Sequence, residues 1–171
     1  GFHNGIKAYG TQSGTITENT VSSPGTIAIN AYGARALQIT DNTISNSHTG
    51  ILMYNVIGNK ECSGDGSFVV SGNNVGTMGS AGMRSLNANG ICFSNNTLES
   101  YFSIEFDSKD VVIKNNQLTG SGNGFDIGSS SVLSMTDNTA NSNLYNGFRF
   151  TDSNVITMTG NTANSNSMNG F

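Results

Sequence analysis

Apolar residues in this chain come in alternating pairs. Leu37/Ile39, Phe68/Val70, Ile91/Phe93, Val111/Ile113, Leu133/Met135 and Ile156/Met158 each flank one residue that is mostly small. Alternation with a period of two marks a half-buried strand. Three residues after each pair stands an asparagine. The phrases read Asn19-Thr20-Val21, Asn42-Thr43-Ile44, Asn73-Asn74-Val75, Asn96-Thr97-Leu98, Asn116-Gln117-Leu118, Asn138-Thr139-Ala140 and Asn161-Thr162-Ala163, at intervals of 23, 31, 23, 20, 22 and 23 residues. A second strand phrase lies between these corners. It reads Gly5-Ile6-Lys7-Ala8, Thr26-Ile27-Ala28-Ile29, Gly50-Ile51-Leu52-Met53, Gly82-Met83-Arg84, Ser103-Ile104-Glu105-Phe106, Gly124-Phe125-Asp126-Ile127 and Gly147-Phe148-Arg149-Phe150, with a further start at Gly170-Phe171.

No 3.6-residue period runs through the chain, so the repeat is not helical. Its length also differs from a propeller blade, which needs roughly 40 residues. A period near 23 with two or three short strands is one coil of a solenoid, and no coil can bury its apolar side alone. The alternation of the Gly-Ile strand with the Ile-x-x-Asn-Asn/Thr-x-Ile phrase resembles the right-handed parallel β-helix family of pectate lyases, polysaccharide epimerases and phage tailspikes. The resemblance covers essentially the whole chain. It implies an all-β, single-stranded, right-handed parallel β-helix over 1–171. About seven coils, three short parallel sheets and an insertion loop at 56–66 are expected.

Most of the periodic residues read as scaffold. The seven asparagines suit a sharp corner, because Asn tolerates the left-handed conformation and its amide can bond the equivalent Asn one coil away. Ile6, Ile27, Ile51, Met83, Ile104, Phe125, Phe148 and Phe171 are expected to form one interior stack. Thr157-x-Thr159 is similar to an ice-binding pattern, but Val69, Cys92, Val112 and Lys114 would interrupt the array.

Candidate chemistry then falls on outward positions of the Gly-Ile strand. Successive coils place there Lys7, Ala28, Leu52, Arg84, Glu105, Asp126 and Arg149, about 4.8 Å apart. Asp107 lies two residues beyond Glu105, and His48, Tyr101 and Tyr145 precede the strands. One reading is a saccharide groove. Glu105, Asp107 and Asp126 would be catalytic carboxylates, each raising the others' proton affinity. Arg84 and Arg149 would hold a uronate, and Tyr101, Tyr145 and His48 would complete the substrate site. The other reading is a ladder of ion pairs, Arg84 with Glu105 and Asp126 with Arg149, worth little at a wet surface.

Composition narrows the class. Only 11% of residues are charged, the net charge is −4, and glycine is abundant. Seven basic residues make no stripe for phosphates, which argues against nucleic acid. No apolar run is long enough to enter a membrane as a helix. Function is therefore expected in extracellular, cell-surface or virion carbohydrate recognition or processing, as a lyase, epimerase or glycoside hydrolase of acidic polysaccharide. The alternative is a structural segment of an adhesin, fibre or spike without chemistry. His3 and His48 give little support to a Ser-His-Asp arrangement.

The insertion Asn59-Lys60-Glu61-Cys62-Ser63-Gly64-Asp65-Gly66 carries two carboxylates and could hold calcium, although it lacks the ordered ligand spacing of a calcium loop. Otherwise neither a cofactor nor a metal is expected. Cys62 and Cys92 could bridge or remain free. The sequence starts at Gly1 without Met and ends inside a repeat phrase. That leads us to expect a longer protein, end-to-end stacking of copies, or a partner covering the open coil.

Overall fold

The computed structural model describes residues 4–120 and 122–171. Within them the chain winds as a parallel β-solenoid of about seven coils without a helix. The first strands are β1 (Asn4–Tyr9), β2 (Gly14–Thr17), β3 (Thr20–Tyr32), β4 (Leu37–Thr40), β5 (Thr43–Tyr54) and β6 (Phe68–Ser71). The middle coils carry β7 (Asn74–Val75), β8 (Met83–Leu86), β9 (Ile91–Ser94), β10 (Thr97–Leu98), β11 (Phe102–Glu105) and β12 (Val111–Lys114). The last are β13 (Gln117–Gly120), β14 (Phe125–Gly128), β15 (Ser131–Thr136), β16 (Thr139–Asn143), β17 (Phe148–Thr151) and β18 (Asn154–Thr159).

Three faces form, but two hydrogen-bonded sheets carry them. One sheet has seven strands, in the order β18-β15-β12-β9-β6-β4-β2. The other has eleven strands and supplies both remaining faces. They are joined because β3 and β5, 13 and 12 residues long, run unbroken around the bend. Later coils split at that bend, as between β7 and β8.

The asparagine corner forms the expected ladder. Asn96 receives two bonds at its Oδ1, from the Asn73 backbone N–H and from Asn73 Nδ2, each 3.0 Å. Asn96 in turn donates twice to Asn116 Oδ1 and once, through Nδ2, to the Val70 carbonyl. The same scheme links Asn19 through Asn161. The left-handed residue, however, is the one before each ladder asparagine: Glu18, Asp41, Gly72, Asn95, Asn115, Asp137 and Gly160. The turn and the amide ladder are adjacent duties carried by two residues.

Inside, apolar side chains pack in files. The register aligns Ile6, Ile29, Ile51, Met83, Phe102, Phe125 and Phe148. Phe125 and Phe148 stack at 4.9 Å, and Phe171 continues the stack. Ile27 and Ile104 are not in this file. Ile27 lies two residues before Ile29 and pairs with Asn4 and Thr49, and Ile104 lies two residues after Phe102 and pairs with Ser85 and Ile127. Bulges displace two other expected core residues. Val132 pairs with Val111 and fills the interior in place of Leu133. Val155 pairs with Val132 and packs on the core, while Ile156 is 63% exposed. Glycine opens the Gly-Phe phrase because the coils approach closely there. A Cβ on Gly124 would stand 2.5 Å from the Gly147 carbonyl oxygen.

Candidate functional site

The outer side of the Gly-Ile face carries two rows. The first is Lys7, Asn30, Leu52, Arg84, Ser103, Asp126 and Arg149. The second, two residues along each strand, is Tyr9, Tyr32, Tyr54, Leu86 and Glu105, followed by the Gly128–Thr151 pair. Two positions expected in the first row are thereby corrected. Ala28 is fully buried, and Asn30 takes its place. Glu105 aligns with Leu86, and Ser103 stands between Arg84 and Asp126. The coil beginning at Asn96 is short, so Tyr101-Phe102 occupies the position that Gly-Phe holds elsewhere.

Glu105 nevertheless reaches the first row. Its Oε2 lies 3.1 Å from Arg84 Nη2, and its Oε1 accepts a hydrogen bond from Ser103 Oγ. Arg149 Nη1 donates to both carboxylate oxygens of Asp126, at 3.0 and 3.1 Å. Each carboxylate thus has its own arginine, in partly exposed pairs. Between the pairs lies a hollow of about 320 Å³ lined by Glu105, Phe106, Asp126, Gly128, Ser129, Arg149 and Thr151. Gly128 makes the notch: a Cβ there would meet only Glu105 Cγ, at 4.0 Å. Phe106 walls it with a ring that is 60% exposed, on a left-handed backbone (φ 55°).

Residues 61–171 match a family model described as a right handed beta helix region. The chain belongs to that family. No curated protein and no solved structure matches it. The coils before residue 61 continue the same β-helix, with Asn19 and Asn42 in the same ladder.

The β-helix gathers some of the expected site residues and separates others. Glu105, Asp126 and Arg149 share the hollow, and Arg84 borders it through Glu105. Asp107 does not join them. The chain turns at Phe106 and Asp107, both left-handed, and Asp107 lines a separate hollow with Asn55, Asn87 and Asn89. Tyr101 packs against Gly122, whose Cβ would lie 3.5 Å from the Tyr101 ring. Tyr145 is bonded on the far side of Gly122 through its N–H, 3.1 Å from the Gly122 carbonyl, so a coil separates the two tyrosines. His48 is exposed beside Gly79 and Ser80, away from the hollow, and His3 lies outside the described residues.

The 56–66 insertion does not wall the charged row. Cys62 is bridged to Cys92, an outward residue of the seven-stranded sheet that is 2% exposed. Within the insertion Asn59 is the organiser: its Nδ2 donates to the Asp65 carbonyl at 2.7 Å, and its Oδ1 accepts from Glu61 N–H and Ser67 Oγ. Among the described residues no three His, Cys, Asp or Glu side chains converge as a metal site.

Two features escaped the sequence reading. Phe106 and Gly128 define the hollow, yet neither belongs to a repeating polar phrase. Tyr9, Tyr32 and Tyr54 stack at 4.7 and 5.2 Å on the same outer face. Their spacing of 23 and 22 residues, equal to the repeat, was the available signal.

Proposed function

We propose that this β-helix recognises an acidic polysaccharide outside the cell, with the hollow over Gly128 as the binding site. The hollow itself carries the reading: an exposed aromatic ring, two carboxylates and an arginine meet around a missing side chain. Phe106 offers a face for a sugar's C–H groups. Arg149 uses only Nη1 toward Asp126, so the remaining donors of its guanidinium are available for a uronate carboxylate. Glu105 and Asp126 accept from sugar hydroxyls. Because each carboxylate is already paired with an arginine, the arrangement favours binding over lyase, epimerase or hydrolase chemistry. The Cys62–Cys92 disulfide fits an oxidising compartment.

Titration calorimetry with polyuronate and neutral glucan oligosaccharides tests this. Saturable binding of the polyuronate is expected, weakened at least tenfold in G128L, which fills the notch, and abolished in the E105A/D126A double variant. Circular dichroism should show the fold unchanged in both. Binding that survives G128L, or no binding of any acidic glycan, overturns the proposal and leaves the structural-segment reading, which the one-to-one charge pairing favours. Shortened or unsaturated oligosaccharides in the products would replace recognition with processing.

A further inference from the structure

The asparagine corner carries one position whose chemistry the ladder does not use. All seven left-handed corner residues are exposed, and two are asparagines, Asn95 and Asn115. The ladder asparagine that follows each of them is buried with its amide engaged. Asn95 is tied down only by its backbone, its N–H donating to the Lys114 carbonyl at 3.1 Å. Among the described residues its side-chain amide makes no hydrogen bond. Two residues on, Thr97 is also exposed, at the start of β10. Asn95-Asn96-Thr97 is the one place in the sequence where an asparagine precedes a serine or threonine by two. The ladder asparagines escape that spacing because the residue two positions after each is apolar, from Val21 to Ala163. Asn115 escapes it because Gln117 stands where Thr97 does.

We propose that Asn95 is an acceptor for an N-linked glycan. The donor is an oligosaccharide carried on a lipid diphosphate, and the catalyst is a membrane oligosaccharyltransferase that reads the Thr97 hydroxyl. Asn95 Nδ2 attacks the anomeric carbon. The C–N bond forms as the bond from that carbon to the diphosphate oxygen breaks. The lipid diphosphate leaves, and one amide proton passes to a carboxylate of the transferase. The finished glycan projects from the corner opposite the charged face, so the hollow over Gly128 stays clear. This inference shares with the proposed function only the secretory compartment, and saccharide binding can fail without affecting it.

Secretion of the chain from a eukaryotic host, followed by intact-mass measurement, tests the site. The expected result is a mass increment of one oligosaccharide, removed by peptide-N-glycosidase with conversion of Asn95 to aspartate. N95Q and T97A should both lose the increment, and T97S should keep it. Q117T should add a second glycan at Asn115, since the corner geometry is the same. Secreted wild-type protein of unmodified mass overturns the proposal, as does an increment that persists in both N95Q and T97A.

Discussion

The two halves of the Gly-Ile face share one backbone register and use it in opposite ways. In the first three coils the outer second row is tyrosine at every level, and the rings stack on one another with interplanar angles of 7° and 25°. In the last four coils the same row reads Leu86, Glu105, Gly128 and Thr151; Glu105 pairs with Arg84 of the neighbouring row, and Asp126 pairs with Arg149 within that row. Identical neighbours satisfy each other and close the surface. Unlike neighbours leave donors, a ring and a gap. A repeat that holds the backbone constant turns local sequence variation into a site, because a missing side chain is not refilled when the coil spacing is fixed.

The largest expected effect separates the halves from below. Phe125 is fully buried between Phe102 and Phe148, in the stack that supports the charged half. Phe125→Ala should cost about 3–5 kcal/mol, measured by denaturant unfolding. In a solenoid each coil contacts mainly its neighbours, so amide exchange should accelerate in the coils around Asp126 and remain slow at Tyr32. Uniform acceleration along the chain would show that the halves do not differ in their support.

Next in size is the corner common to both halves. Asn96→Ala removes the acceptor of two Asn73 donors inside the buried ladder. A loss of about 1–3 kcal/mol follows from the unpaired groups, read as a lowered melting temperature. Asn19 is less buried and, among the described residues, accepts from no preceding asparagine, so Asn19→Ala should cost less. Equal losses would mean that burial in the ladder does not set its worth.

The tyrosine half has its own test. Tyr32→Ala breaks both stacked pairs at once and should cost about 1–2 kcal/mol. Polyuronate binding should not change, because the site is assigned to the other half. Lost binding would extend the site over the tyrosines and remove the contrast between the halves.

The fold was legible because each coil repeats the same demands: inward apolar residues, a corner amide and a tight glycine. Where reading failed, the number of residues between the asparagine corner and the Gly-Ile strand differed from coil to coil. Ile29, two residues beyond Ile27, holds the core position in its coil, and the short coil after Asn96 set Glu105 two residues from its assumed row. The Arg84–Glu105 pair expected from neighbouring coils survived this error, since Glu105 is long enough to reach Arg84 from the next row. The hollow was not legible. It depends on the absence of a side chain at Gly128 and on a left-handed turn at Phe106, and neither leaves a periodic trace in the chain.

The smallest expected effect bears most directly on what the charged half is for. Arg149 and Asp126 form a pair whose side chains are 49% and 23% exposed. Such a pair contributes about 0–1 kcal/mol, because water screens the attraction and the long side chain loses freedom in making it. Arg149→Ala should therefore leave the melting temperature nearly unchanged, and moderate salt should do no more to the wild type. In calorimetry the same variant should lose polyuronate affinity, through the donors that Asp126 does not occupy. If stability falls well beyond the surface-pair range while affinity holds, the ion pairs are scaffold, and the two halves of the face close the same surface by different means.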